Sequence, residues 1–251
     1  MKIVISPAKK LDLQSGYPAC ASHTPWFLNE AETIIEVMRR KSPDEIKSLM
    51  KLSDNLANLN WERYQTWKKE IENTARPAIF TFNGNVYDGL SVKSLPVEKL
   101  PQLDEKLRII SGLYGLLRPC DLIYPYRMEM GSKLSFDKYK NLYAFWREKI
   151  TGQLNKEMKK SDFLVNLASQ EYFKAIDTQQ LKAPVYNILF KEYKNGELKT
   201  ISLYAKIARG LMTRFIIQNN INTAEELKLF DWDGYAYDAN LSDKYQFVFT
   251  R

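Results

Sequence analysis

Apolar positions along the chain fall into short blocks, and the spacing within each block predicts the element it forms. Lys2 to Ser6 is a β-branched run ended by Pro7, the pattern of a buried strand. Trp26 to Lys41 carries Leu28, Ile34, Ile35 and Met38 at helical spacing. Ser42-Pro43-Asp44-Glu45 predicts a helix start: Ser42 as cap, Pro43 at the first helical position, Glu45 completing a capping box ahead of Ile46, Leu49 and Met50. Ser53 is placed to cap a second short helix through Leu56 and Ala57. Asn60 is placed to cap a third, with Trp61, Tyr64 and Trp67 on one face as core. Ala78 to Phe82 reads as a strand. Val86 to Leu90 follows an Asn83-Gly84 turn, and Leu95 to Pro101 is loop-like. Arg108 to Ser111 reads as a short buried strand running into Gly112, Asn141 to Lys160 as a helix, Phe163 to Leu167 as a strand, and Gln170 to Ile176 as a helix. Val185 to Tyr193 and Glu197 to Leu203 flank Asn195-Gly196, a hairpin signal. A helix from Ser202 to Gln218, a short helix from Thr223 and a strand from Tyr245 to Thr250 complete the pattern.

Strands and helices interleaved without repeats or low-complexity linkers predict an α/β mixed (α+β) fold. Residues 1–251 are expected to form one compact unit, a central mixed sheet flanked by helices, whose strand order the pattern does not specify. The apolar run at the N-terminus is too short for a signal peptide, and no stretch reaches about 18 apolar residues, so no membrane partner and a cytoplasmic location are expected. Lys plus Arg is 37 against 30 Asp plus Glu, a net charge of +7 that favours polyanions. The two cysteines, Cys20 and Cys120, have no CxxC spacing, and the single histidine, His23, falls in a polar loop as a surface residue. Neither a disulfide framework nor a metal site is expected. The chain also lacks GxxxxGK and GxGxxG phosphate loops, and no cofactor is expected.

Four segments carry candidate chemistry. Ser6-Pro7-Ala8-Lys9-Lys10 follows a buried strand, where ligands of open α/β sheets gather, and its lysines suit phosphate. Ser111 to Pro119, continuing to Tyr124-Pro125-Tyr126-Arg127 and Met128-Glu129-Met130-Gly131, combines glycines with the guanidinium forks of Arg118 and Arg127. Its Tyr114, Tyr124 and Tyr126 are candidates for base stacking. The helix from Ser202 sets Ser202, Lys206, Arg209, Gly210 and Thr213 on one narrow stripe of an otherwise apolar surface, and no acid occurs from Leu198 through Ala224. A buried charge needs a partner, so acids from elsewhere or an anionic ligand must meet Lys206 and Arg209. Asn166 interrupts an apolar strand and needs hydrogen-bond partners, while Ser169 is expected to cap the next helix.

Taken together, Ser6-Pro7-Ala8-Lys9, Asn83-Gly84 with Val86-Tyr87 and Gly89-Leu90, Ser111 through Arg118-Pro119, Pro125-Tyr126-Arg127, Asn166-Leu167-Ala168-Ser169, and Ala205-Lys206 with Ala208-Arg209-Gly210 resemble the signature of the YaaA family of bacterial peroxide-stress-resistance proteins, over nearly the whole chain to Phe249-Thr250-Arg251. The resemblance implies an unusual α/β fold with a positively charged cleft, a cytoplasmic role in limiting damage from hydrogen peroxide and unincorporated iron, and duplex DNA binding through a helix-hairpin-helix element. By position that element is Ile46 to Leu59, at about 43–59. With one His and two separated Cys, an imidazole-rich or thiolate iron site is not expected, which makes any effect on iron indirect. The expected partner is duplex or structured DNA bound without sequence preference, through Lys9, Lys10, Lys51, Arg118, Arg127, Lys206 and Arg209. The alternatives are a lesion-lyase-like enzyme on nucleic acid or nucleotides, with Lys206 as its candidate catalytic nucleophile, and an iron-sequestering protein.

Overall fold

A strand of consecutive β-branched residues has no polar face to turn to water. Such a strand belongs inside a sheet covered on both sides. That is where β1 (Lys2–Ile5) lies, with Ile3, Val4 and Ile5 fully buried. The computed structural model describes residues 1–194 and 196–251. After β1 come β2 (Lys10–Leu11), α1 (Leu28–Arg39), α2 (Pro43–Met50), α3 (Asp54–Thr66), β3 (Arg76–Pro77), α4 (Ala78–Thr81), β4 (Phe82–Asn83) and α5 (Asn85–Leu90). The middle of the chain forms α6 (Leu100–Lys106), β5 (Leu107–Ser111), β6 (Gly115–Leu117), β7 (Leu122–Ile123), α7 (Leu142–Glu157), β8 (Leu164–Asn166) and α8 (Gln170–Phe173). Then follow β9 (Val185–Lys194), β10 (Glu197–Lys199), α9 (Ser202–Gln218), α10 (Ala224–Leu227), β11 (Ala236–Tyr237) and β12 (Gln246–Thr250).

The main sheet is eight-stranded and mixed, in the order β11-β12-β9-β8-β1-β5-β6, with β10 paired to β9 off this path. The five strands β12, β9, β8, β1 and β5 run parallel, while β11, β6 and β10 join antiparallel. Parallel strands release their carboxyl ends along one edge, so the loops after β1, β5 and β8 leave the sheet together. Polar residues in these strands are paired in place. Asn166 donates from Nδ2 to Asn187 Oδ1 (2.9 Å) and accepts from the Ala168 amide (3.0 Å). Arg108, buried in β5, donates from Nε to Glu157 Oε2 (2.8 Å) and lies over the Trp26 ring.

The N-termini of α2 and α10 show why local sequence settles some boundaries. The Glu45 amide donates to Ser42 Oγ (3.3 Å) and the Ser42 amide to Glu45 Oε2 (2.8 Å), the reciprocal box expected from the sequence. Thr223 and Glu226 repeat it at α10. Replacing Ser42 with alanine leaves the Glu45 amide without its acceptor and is expected to lower stability by about 1 kcal/mol. A urea titration checks this, and an unchanged midpoint would show that water replaces the cap at no cost.

Elsewhere the structure corrects the pattern. Ala78 to Phe82 is not a strand: Ala78–Thr81 is helical, Thr81 Oγ1 donates to the Pro77 carbonyl (2.9 Å), and only Phe82–Asn83 is extended. All four helical residues are buried, and a fully buried apolar run has no polar phase to separate strand from helix. Nor does Asn60 start a third helix. Buried within an unbroken α3, it donates to the Leu56 carbonyl one turn back (2.7 Å). The predicted hairpin is confirmed in its strands, Glu197 facing Lys194, but β10 stops at Lys199; its turn residue Asn195 lies outside the described residues.

The contact that positions the functional edge is between helices. α9 packs on β9 and crosses α5 with backbone against backbone, because Gly89 and Gly210 meet where any side chain would intrude.

Candidate functional site

The loop after β1 and the loop after β8 are tied together at the carboxyl edge. Ser6 Oγ accepts from the Ser169 amide (2.9 Å) and lies 3.2 Å from Ser169 Oγ. Ser169 therefore joins two loops instead of capping α8 with its hydroxyl. From the other side, the buried Tyr87 hydroxyl on α5 donates to the Ser6 carbonyl (3.1 Å). Loss of hydration pushes that phenol's pKa far above its usual value, so it stays a neutral donor.

These ties frame a cleft of about 420 Å³ lined by Ser6–Lys10, Asn83–Tyr87, Ser169, Tyr172, Lys206 and Arg209. It shares Lys9 and Glu171 with a second groove of about 910 Å³, walled by Lys41, the end of α2 from Ser48 to Lys51, Arg127, Glu129 and Gly131–Lys133. The two form one continuous surface. Eight cations line it (Lys9, Lys10, Lys41, Lys51, Arg127, Lys133, Lys206 and Arg209) against three acids (Glu45, Glu129 and Glu171).

Of the seven sequence-predicted cations, six come together here and one does not. Arg118 pairs instead with the buried Asp121 (Nε to Oδ1, 2.9 Å), donates to the Thr24 carbonyl (2.8 Å) and stacks on Trp26. Burial pushes the Asp121 carboxyl up to about 6 despite that partner, so Arg118 serves a structural charge away from the cleft. Lys9 and Arg127 reach the cleft but both hold Glu129 Oε1, at 3.1 and 3.0 Å, so an incoming anion must displace that carboxylate. Lys10, Lys51, Lys206 and Arg209 have no carboxylate within ion-pair distance among the described residues. Lys10, Lys51 and Lys206 are exposed at the rim, whereas Arg209 is half-buried in the wall, where desolvation alone lowers its pKa. The choice left open by the sequence, an acid from elsewhere or a ligand, is thus narrowed at Arg209: no acid reaches it.

The tyrosines of the Ser111–Arg127 stretch are not available for stacking on bases. Tyr114, Tyr124 and Tyr126 are buried and satisfied inside the core. Trp67 Nε1 donates to Tyr114 Oη (2.8 Å), Tyr124 Oη donates to the Glu70 carbonyl (2.7 Å), and Tyr126 Oη lies 2.6 Å from Ser111 Oγ. Sequence reasoning missed Glu129 and Glu171 as the acids that balance the cleft; both stand within or beside motifs already singled out, but nothing in their spacing marks them as facing lysines. Lys41 and Lys133 come from segments without any motif. Among the described residues no three His, Cys, Asp or Glu side chains are grouped to hold a metal ion, and no helix is long and apolar enough to cross a membrane.

The signature segments at Ser6–Lys9, Asn83–Tyr87, Arg127, Ser169 and Lys206–Arg209, scattered over 200 positions of sequence, thus converge on one edge of the sheet, while Ser111–Pro119 packs in the interior. A protein-family model described as peroxide stress protein YaaA matches residues 1–241. The chain is 52% identical to a UPF0246 protein of Flavobacterium johnsoniae and 50% identical to one of Flavobacterium psychrophilum, in both cases over the full length of both chains. A UPF0246 protein of Idiomarina loihiensis is 48% identical over all of this chain and 98% of its own. Matches of this extent and identity leave one assignment: the chain belongs to the peroxide stress protein YaaA family, which supports a role in the response to peroxide.

Proposed function

We propose that the cleft binds the sugar-phosphate backbone of duplex or structured DNA without sequence preference, as the protein's part in the peroxide response. The observation that carries this is Arg209, a desolvated guanidinium in a concave wall, with no carboxylate in ion-pair distance among the described residues. Such a group is costly unless an anion completes it. Lys10 and Lys206 flank it. Lys51 stands across the groove at the bend between α2 and α3, in left-handed backbone (φ 52°), where it terminates α2 and points the bend at the same surface. That bend is the position the family resemblance assigns to a helix-hairpin-helix. With the tyrosines in the core, the contacts left to the cleft are cationic, and cations on phosphate position a duplex without reading it. Limiting the damage from unincorporated iron then follows from shielding DNA, with no iron site required. The enzyme alternative needs an amine activated by burial, and Lys206 is exposed.

Fluorescence anisotropy with two labelled duplexes of unrelated sequence, titrated across a salt series, tests the proposal. Four released counterions give a slope of log K against log salt of about −3.6, rising to about −5.4 if Lys9 and Arg127 leave Glu129 for phosphate. Both duplexes are expected to give the same slope. Binding independent of salt, or confined to one sequence, would refute it.

A further inference from the structure

The chain's two cysteines are 100 positions apart in sequence and adjacent in space. Both line a cavity of about 430 Å³ that shares no residue with the cleft, with His23, Leu100, Pro101 and Asp104. The adjacency is built into the backbone. The His23 amide donates to the Cys120 carbonyl (3.1 Å), the Leu122 amide donates to the His23 carbonyl (2.9 Å), and His23 bridges Asp121 in parallel register. Cys20 thus sits three residues before a strand-like crossing whose other side begins at Cys120. Asp104 fastens the arrangement from α6: its Oδ1 accepts from the Cys120 amide (2.8 Å), and its Oδ2 lies 2.8 Å from His23 Nε2. His23 is accordingly a half-buried, carboxylate-bonded residue and not the surface histidine its loop suggests.

The two thiols are unequal. Cys20 is half-exposed in a segment free of regular structure, whereas Cys120 is buried. Both line the same cavity. The neighbouring Cys120 thiol lowers the pKa of Cys20, and Cys20 with burial raises that of Cys120; Asp104 opposes both ionisations. Exposure and acidity thus fall on the same sulfur, and the proton and the burial on the other, which is the division between an attacking and a resolving thiol.

We infer that Cys20 and Cys120 form a hydroperoxide-reactive pair, in which Cys20 is oxidised first and Cys120 resolves it to an intramolecular disulfide. The Cys20 thiolate attacks one peroxide oxygen; an S–O bond forms, the O–O bond breaks, and the departing hydroxide leaves as water after taking up a proton. The Cys120 sulfur then attacks the Cys20 sulfenic acid; the S–S bond forms, the S–O bond breaks, and the second water leaves with the Cys120 proton. Two thiols lose two electrons and two protons, and hydrogen peroxide is reduced to two waters. The open, mainly apolar cavity admits a small uncharged oxidant, and a resolving thiol in the same cavity keeps the sulfenic acid from advancing to sulfinic acid. This inference is independent of the nucleic-acid proposal, since neither cysteine lines the cleft.

The test treats the reduced full-length chain with one equivalent of hydrogen peroxide under native conditions, blocks remaining thiols with N-ethylmaleimide and maps unreduced peptides by mass spectrometry. The expected result is the Cys20 peptide joined to the Cys120 peptide with the loss of two hydrogens, formed at least tenfold faster than in the urea-unfolded chain. In Cys120→Ser, Cys20 is expected to be captured by dimedone as sulfenic acid, while in Cys20→Ser the same dose leaves Cys120 unmodified. Recovery of both cysteines as maleimide adducts, or a cross-link no faster in the native chain than in urea, overturns the inference; both readings use the unsubstituted protein, so they hold even where a variant fails to fold.

Discussion

Replacing Gly210 with alanine is expected to destabilise the protein by about 2–3 kcal/mol, even though alanine is the better helix former. Two effects of opposite sign meet at this position. In a helix interior alanine is favoured over glycine by about 1 kcal/mol. A methyl group on Gly210, however, would overlap the Val86 carbonyl oxygen and approach within 2.6 Å of the Leu90 amide nitrogen. These are backbone atoms of α5, so no rotamer change relieves the overlap, and the two helices must separate. Overpacking of this kind costs about 1–3 kcal/mol and more where backbone must shift, so it outweighs the propensity gain. A thermal midpoint lower by roughly 5–10 °C is the corresponding reading for a chain of this size. The reciprocal substitution, Gly89→Ala, meets the Ile207 carbonyl, with its carbon and the Leu211 amide nitrogen both at 3.0 Å, and should behave alike. The two together should cost less than their sum, because one separation of α5 and α9 accommodates both methyl groups. An unchanged or raised midpoint for Gly210→Ala would show that α5 and α9 separate at no cost.

This contact also shows what the sequence could and could not reveal. Gly89 and Gly210 each stand in a quoted motif, but their meeting depends on where α5 and α9 cross, which no local pattern encodes. The boundaries of α2 and α9 were legible because a capping box and a long apolar periodicity are local properties. The helical state of Ala78–Thr81 was not, because a run buried on every side carries no phase. The same division holds in the site. A position just after a buried strand marks Lys9 and Lys10, glycines near a guanidinium mark Arg127, and a basic stripe on an apolar helix marks Lys206 and Arg209. Only the fold shows that Arg118 is spent on Asp121, that Glu129 engages Lys9 and Arg127, and that Arg209 stands without an acid. The tyrosines were misread for a related reason: an aromatic side chain with a hydroxyl suits a base-stacking platform and a hydrogen-bonded core equally well, and their buried partners decide between them. Spacing alone gives no reason to join the cysteines, and the crossing at His23 brings them together.

In the Lys206→Ala/Arg209→Ala double variant, DNA affinity near 100 mM salt is expected to fall at least tenfold, and the salt slope to shrink by about 1.8, the share of two phosphate contacts. Stability is expected to move the other way or not at all. Arg209 is desolvated with no carboxylate in ion-pair distance among the described residues, and α9 from Leu203 to Thr213 supplies none, so truncating it removes an uncompensated charge while Ala205, Ala208 and Met212 continue to hold the helix in the core. Residues kept for packing lower stability when removed; a residue kept for a ligand leaves stability intact and costs binding. Gly210→Ala supplies the contrast one position away, where stability falls first and binding follows only as α9 shifts. Urea midpoints measured beside anisotropy on both variants separate the two cases. A double variant that binds DNA with undiminished affinity and slope would remove this edge of the sheet from the DNA contact and leave Lys51 and the α2–α3 bend to account for it. A variant that loses binding only because it unfolds would return Arg209 to the list of structural charges, beside Arg108 and Arg118.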